Sequence, residues 1–325
     1  MLPQPKPRPV ADSEQLAALR RELARLTGED PETLRFGVAV SGGSDSMALL
    51  LLMHQAAPGR VAAATVDHGL RAESAAEAEA VSRICAELGM AHSILRATAP
   101  IRGSVQAAAR TARYALLEEW RAAQQIDYIL TAHHADDQAE TLLMRLNRAS
   151  GVAGLAAIRD RNGRILRPVL GWRRAALRAV VDAAGITAAD DPSNRDPRFD
   201  RARMRAALAD APWLDVAAAA RSAALLAEAD VALDWAADQI IAAWPDADDP
   251  RVIRGGLWPD EIGWRILRRR LIEFFGQCQA DQSQLLRGLG NLRDGRKVSL
   301  GAVVIVPDRH DYALWHMELA PPRRR

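Results

Sequence analysis

The sequence predicts an α/β fold: a parallel sheet with helices on both faces, followed by a smaller, mainly helical C-terminal domain. Three observations predict it. Short apolar runs of strand length alternate with segments of helical period through the first part of the chain. Polar motifs sit at the ends of three of those runs, the edge where a parallel sheet collects its ligand sites. Near residue 212 this alternation gives way to an Ala-rich stretch and then an arginine-rich one.

The elements follow in order. Residues 1–10 (MLPQPKPRPV) are proline-rich and lack an apolar core segment, so a flexible tail is expected rather than a secretory signal. Residues 11–28 have the Ala/Leu/Arg/Glu spacing of a helix. Strands are predicted at 34–40, 61–66, 92–97 and 127–131, and helices at 45–56, 73–89, 103–124 and 136–148. Helices of this length between strands imply βαβ units and a sheet covered on both faces. Residues 213–243 read as one long helix, 245–250 as a loop, 260–275 as a helix carrying Arg265, Arg268, Arg269 and Arg270, and 297–306 and 312–318 as short strands. The domains expected are therefore a tail at 1–10, an α/β domain at 11–212 and a C-terminal domain at 213–325.

Composition narrows the function classes. At 325 residues with 49% hydrophobic and 26% charged residues, the chain has room for two cores and is not disordered in bulk. No apolar stretch approaches the roughly 20 residues that span a bilayer, so no membrane association is expected. Two cysteines, Cys85 and Cys278, lie far apart. That spacing speaks for a reducing, cytoplasmic compartment and against a cysteine zinc site or an iron–sulfur cluster. Net charge is only +2, but every basic residue except Lys6 and Lys297 is arginine. Arginine suits phosphate and base recognition; GC-rich codon usage would give the same skew. Charge is also sorted. Residues 213–249 hold one arginine and eight acids, 251–325 hold fourteen bases and eight acids, and 159–178 hold seven arginines and one aspartate. Such blocks suggest local basic surfaces, with solvated helix faces as the alternative.

The first chemical motif is Ser41-Gly42-Gly43-Ser44-Asp45-Ser46, between an apolar strand and an apolar helix. The glycines allow a tight turn and close approach to an anion. The loop N–H groups, the serine hydroxyls and the helix N-terminus favour phosphate. No lysine is present, so it is not the GxxxxGK[ST] loop. Asp45 beside phosphates makes sense if it holds Mg²⁺; helix capping is the alternative. The second motif is His133-His134-Ala135-Asp136-Asp137-Gln138-Ala139-Glu140-Thr141. Asp137 and Glu140 share a helix face, where they can bind Mg²⁺, hold a cationic amine or take its proton. Asp136 is a candidate N-cap, and HExxH zinc spacing is absent. Asp67 and His68 end the second strand, where they would flank the adenine or ribose. Arg110 and Arg113, three apart on a helix, can neutralise phosphate across the crevice. Finally Asp191-Pro192-Ser193-Asn194 is a rigid turn. Arg198, Phe199, Arg201, Arg203 and Arg205 follow it, a guanidinium-rich group suited to an RNA backbone and a splayed base.

Taken together these motifs resemble the bacterial tRNA(Ile)-lysidine synthetases, within the N-type ATP pyrophosphatase (PP-loop) superfamily. The matching pieces are SGGSDS at 41–46, VDHGLR at 66–71, ARTARY at 109–114, HHADDQAET at 133–141, RASGVAGL at 148–155, RPVL at 167–170 and DPSN at 191–194. The resemblance is strong over about 30–210. It implies a PP-loop ATPase domain, ATP and Mg²⁺ as cofactors, and free L-lysine and tRNA(Ile) with a CAU anticodon as substrates, with a homodimer left open. It implies adenylation of the wobble cytidine carbonyl, then attack by the lysine amine. Ser41 to Ser46 would hold pyrophosphate and, through Asp45, Mg²⁺. Asp137 and Glu140 would bind and deprotonate lysine, and Arg205 would contact substrate phosphate or the activated base. His133, Asp136, Asp191, Ser193, Asn194, Arg201 and Arg203 would complete the substrate site. The family pattern FTRNRIR after DPSN departs here to Phe199-Asp200-Arg201-Ala202-Arg203-Met204-Arg205. The length left after residue 212 suits one C-terminal tRNA-binding domain, where longer members carry two. The competing enzyme class is a tRNA thiolase of the same superfamily. Those that modify cytidine use cluster-holding cysteine motifs, and Cys85 and Cys278 form no such pair. A non-enzymatic RNA-binding module is the other alternative.

Overall fold

The computed structural model describes residues 11–67, 73–96, 105–189, 196, 198, 200–311 and 313–320. The expected tail at 1–10, together with His68, Asp191, Ser193, Asn194 and Phe199, lies outside the described residues. Two compact units are formed, Met1–Ala227 and Glu228–Arg325.

The first unit opens with α1 (Ser13–Thr27). Asp12 caps it reciprocally with Gln15, and Gly28 ends it in the left-handed conformation. Leu19, Leu23 and Leu26 recur at helical spacing and are buried. Five parallel strands follow: β1 (Phe36–Ala39), β2 (Val61–Asp67), β3 (His92–Arg96), β4 (Tyr128–Leu130) and β6 (Ile165–Leu166), with β5 (Arg161–Asn162) antiparallel at one edge. The order is β3-β2-β1-β4-β6-β5.

Side chains alternate across the sheet as the pleat requires. Val38, Ala63, Tyr128 and Leu130 face a core shared with α1, with α2 (Ser44–Ala56) and with α7 (Arg174–Ala184). Ala64 and Ile129 face a second core closed by Leu117 and Trp120 of α4 (Val105–Ala123). α2 is apolar nearly all round and accordingly buried along almost its whole length. On β1, Gly37 lets the Trp120 ring lie flat on the strand. A Cβ there would come within 2.5 Å of Trp120 Cζ3.

This topology positions the site. Strand order reverses between β1 and β4, and a doubly wound sheet opens its ligand crevice at that point, beyond the strands' carboxyl ends. The loop after β1 leads into α2, and the loop after β4 leads into α5 (Ala135–Leu146). Residues 41–46 and 131–137 are therefore brought side by side. α3 (Glu73–Glu87) follows β2; α6 (Val152–Leu155) and α8 (Asp200–Ala209) follow α5 in the chain.

α9 (Val216–Ala242) gives its first part to one unit and its remainder to the other. The second unit adds α10 (Asp260–Phe275), α11 (Gln282–Arg293) and an antiparallel sheet in the order β7-β10-β9-β8. Its strands are β7 (Val252–Arg254), β8 (Val298–Leu300), β9 (Val303–Pro307) and β10 (Leu314–Leu319). The sequence did not announce β7 or α11.

The basic surface expected on α10 is corrected by the structure. Arg265 is buried against Asp230, Asp234 and Glu261, and Arg269 pairs with Asp238. Arg270 is buried too, donating to the backbone carbonyls of Ala247, Asp249 and Val252. The acids of α9 recur every four residues, as Arg265 and Arg269 do, so the two opposite charge blocks consume each other. Among the four arginines only Arg268 is exposed.

Candidate active site

The phosphate-type loop is braced from within. Gly42 takes φ +86°, which disfavours any side chain, and its carbonyl accepts from Ala189 N at 2.9 Å. The Ser46 hydroxyl donates to Gly43 O at 2.9 Å and accepts from Ser41 N at 3.1 Å. Ser46 therefore holds the loop's shape rather than offering its hydroxyl outward. Gly43 caps α2 without a side chain, leaving the helix N-terminus open to an anion. Ser41 is exposed, and Ser44 Oγ lies 3.5 Å from Asp45 Oδ1.

Asp45 is in the first turn of α2 rather than at its cap. Burial pushes its carboxyl up, but a hydrogen bond from His134 and the charges of Arg174 and Arg205 win, holding it below its usual range. Among the described residues no group of three or more His, Cys, Asp or Glu forms a metal cage. Magnesium commonly binds one or two carboxylates plus substrate phosphates. An ionised, partly exposed Asp45 beside a phosphate-type loop fits that donor set.

The α5 motif departs from expectation at its cap. His134, not Asp136, is the N-cap: its Nδ1 accepts from Asp137 N at 3.3 Å, and Asp137 Oδ2 accepts from His134 N at 3.2 Å. Asp136 lies one residue inside the helix. It accepts from Arg174 N at 2.8 Å and from the Arg173 guanidinium. Those bonds outweigh burial and hold Asp136 below its usual range. Asp137 and Glu140 do share a face, and α8 closes on it. Arg201 reaches both acids, Nη2 to Asp137 Oδ1 and Nε to Glu140 Oε2, each at 3.0 Å. Arg205 Nε donates to Glu140 Oε1 at 2.8 Å. Arg205 is half-buried, and although burial works against its charge, Glu140, Asp137 and Asp45 more than offset this and raise its pKa.

Arg201, Arg203 and Arg205 lie within α8. Arg201 and Arg205, four apart, turn toward α5. Arg203 turns away and pairs with Asp200.

His133 accepts from Arg167 Nε at 3.3 Å through Nδ1, with Thr131 Oγ1 at 3.1 Å from the same atom. Burial, then the charge of Arg167, push its pKa down to about 4. At neutral pH His133 is thus a neutral imidazole with its hydrogen on Nε2. Arg110 is near enough for its charge to contribute to that shift; it also lies over the Tyr114 ring at 5.1 Å. Arg113 is exposed on α4. Asp67, buried at the end of β2, accepts from Ser74 Oγ at 2.7 Å and lies 3.9 Å from Arg96 Nε.

Sequence reasoning missed His134, Arg174 and Gln138. His134 Nε2 is 3.4 Å from Asp45 Oδ2, which ties the two motifs together. Gln138 pairs with the backbone of Ile158, with bonds of 2.9 and 2.8 Å. The signal for His134 is its place at a strand–helix junction; histidine is not among the favoured capping residues, so residue type alone does not mark it. Cys85 is fully buried in the main core, where burial pushes its thiol up to about 11. It is no candidate for cluster or sulfur chemistry.

Comparison with known proteins identifies the family. The PP-loop domain family matches residues 15–211. The tRNA(Ile)-lysidine synthase of Novosphingobium aromaticivorans is 43% identical over 302 residues, covering 89% of this chain and 90% of that protein. That of Zymomonas mobilis is 39% identical, covering 91% of each. Among solved structures, the U34-tRNA thiolase NcsA of Methanococcus maripaludis superposes with a TM-score of 0.51 at 14% identity, over 66% of this chain and 78% of that one; this likeness concerns the fold alone. A chain with this loop, this acid pair and these relatives belongs to the tRNA(Ile)-lysidine synthase family and is built on a PP-loop, ATP-using domain.

Proposed function

We propose that this chain joins free L-lysine to the wobble cytidine of tRNA(Ile) bearing a CAU anticodon, at the expense of ATP. The observation that carries the reading is the juxtaposition, at the sheet's switch point, of a phosphate-type loop and an acid pair. One half suits an adenylating nucleotide and the other an amine.

The cytidine C2 oxygen is a poor leaving group. Its attack on the α-phosphorus of ATP releases pyrophosphate and makes that oxygen part of AMP. The lysine ε-nitrogen then attacks C2, the C2–O bond breaks, and AMP departs with the electron pair. The open N-terminus of α2 and the loop N–H groups receive phosphate charge as it develops. Mg²⁺, held through Asp45, would neutralise phosphate oxygens. The acid pair receives the lysine ammonium, whose reference pKa near 10.4 leaves it unreactive until a proton is removed. Asp137 and Glu140 supply the acceptor. Arg205, close to both Glu140 and Asp45, disfavours the ammonium form by like charge and lies where nucleotide and amine meet. Arg201, 42% exposed, is the guanidinium that an incoming ammonium would displace. Arg203, residues 191–194 and the C-terminal domain from 213 onward are assigned to the RNA, and a tRNA substrate fits work in the cytoplasm.

The test is incubation with labelled lysine, ATP and tRNA(Ile) bearing CAU, with tRNA(Met) as control. Label on the first alone is expected. Label on neither overturns the reading, and label on both overturns its specificity.

A further inference from the structure

His134 is fully buried at the junction of β4 and α5, yet it touches groups from both halves of the site. Its Nδ1 accepts the Asp137 backbone N–H at 3.3 Å. That donor belongs to the first turn of a helix and cannot turn away, so Nδ1 is committed to the cap. Nε2 lies 3.4 Å from Asp45 Oδ2 and 3.5 Å from Asp137 Oδ2. Arg174 Nε donates to Nε2 at 3.4 Å as well, so the same nitrogen also meets a guanidinium. One rigid, water-excluded imidazole thus spans the first turn of α2 and the first turn of α5. Long flexible side chains would lose rotamer freedom in such a bridge; a buried ring has already lost it in folding.

We propose that His134 is a positioning residue that sets Asp45 of the nucleotide loop against Asp137 of the amine site, resting on the function proposed above. It touches neither substrate. It orients the carboxylate that would hold Mg²⁺, as outer-shell groups orient metal ligands generally, and fixes the spacing between the two reacting halves. Stability and function divide cleanly between its two nitrogens: Nδ1 caps the helix and Nε2 holds Asp45.

Two substitutions separate these roles. The His134→Asn amide can accept the Asp137 N–H as Nδ1 does, but it is too short to reach Asp45. The His134→Gln amide reaches as far as Nε2 but leaves the cap unmade. The full chain would be titrated with ATP calorimetrically at stepped Mg²⁺ concentrations, and melted in parallel. His134→Asn should melt close to the parent while needing about 10–100-fold more Mg²⁺ for half-maximal ATP binding. His134→Gln should melt lower and keep a Mg²⁺ requirement within about threefold of the parent, far less than the loss of an outer-shell partner causes. A parental Mg²⁺ requirement in folded His134→Asn overturns the proposal. So does a Mg²⁺ shift that follows melting temperature in both variants. If His134→Asn does not fold, a raised requirement in His134→Gln overturns it and a parental one supports it. Neither lysine nor tRNA enters this measurement, so failure of lysine attachment by the parent overturns the proposed function and leaves the positioning test standing.

Discussion

Arg201 Nε lies 3.0 Å from Glu140 Oε2, and Glu140 is only 2% exposed. With Arg205 on its other oxygen, this carboxylate is held by two guanidiniums in a space closed to water. A buried carboxylate so paired is costly to neutralise, because Arg205 loses the acid it donates to and Arg201 keeps only Asp137. Glu140→Gln keeps the volume and removes the charge. Lysine attachment should fall by at least about 100-fold, the scale of a lost acid–base group. ATP binding, which rests on the β1–α2 loop, should change little. Steady-state attachment rates beside calorimetric ATP affinity check this; equal losses in both would contradict the division of labour.

Asp137 carries two duties, because one oxygen closes the α5 cap while the other meets Arg201. Asp137→Asn preserves a side-chain acceptor for the His134 N–H, so melting should stay near the parent. Lysine attachment should be lost, since an amide neither balances an ammonium nor takes its proton. Asp137→Ala should lose attachment as well and should also cost about 1 kcal/mol of cap stability. Near-parental lysine attachment by Asp137→Asn would remove this residue from the amine site.

His133 gives the protein an acid sensitivity of defined sign. Its folded pKa, pushed down to about 4, is below the unfolded value near 6.5. Between those values the unfolded chain binds more protons, so stability rises with pH through this window and is lost as pH falls from 6.5 toward 4. The loss is at most about 3–4 kcal/mol, from a shift worth about 1.4 kcal/mol per unit. Denaturant melts at pH 7 and pH 4.5 should therefore show a smaller pH difference in His133→Asn than in the parent. Equal differences would mean that His133 is not held neutral.

What the sequence made legible follows from periodicity and local chemistry. The strand–helix alternation placed β1 to β4 and their helices within a few residues of their ends, because a doubly covered sheet writes apolar runs of strand length. The loop at 41–46 and the Asp137–Glu140 face were legible because both are local in sequence. Whatever depends on distant partners was not. Arg201 and Arg205 are some sixty residues from the acids they hold, and composition read them as RNA contacts. His134 shows its second role only when β4 is placed beside β1. The strands β5, β6 and β7 are two or three residues long, too short to carry a period.

Arg265 shows what the charge blocks are for. Its guanidinium is almost completely buried and meets Asp230 Oδ1 and Asp234 Oδ1, each at 2.5 Å, and Glu261 Oε1 at 2.7 Å. It also stacks on the Trp264 ring, 4.6 Å from the centroid. Buried arginines so enclosed add little over an apolar replacement of equal shape, but removing one side of the network strands the other. Arg265→Ala leaves Asp230 buried without its guanidinium and should cost about 3–5 kcal/mol. Arg265→Met combined with Asp230→Leu removes the buried pair, leaving only the more exposed Asp234 and Glu261, and should recover most of that loss. Thermal melts of the single and double variants check this. If the double variant is no more stable than Arg265→Ala, the network is stabilising in its own right and the opposite charges of α9 and α10 do more than neutralise each other.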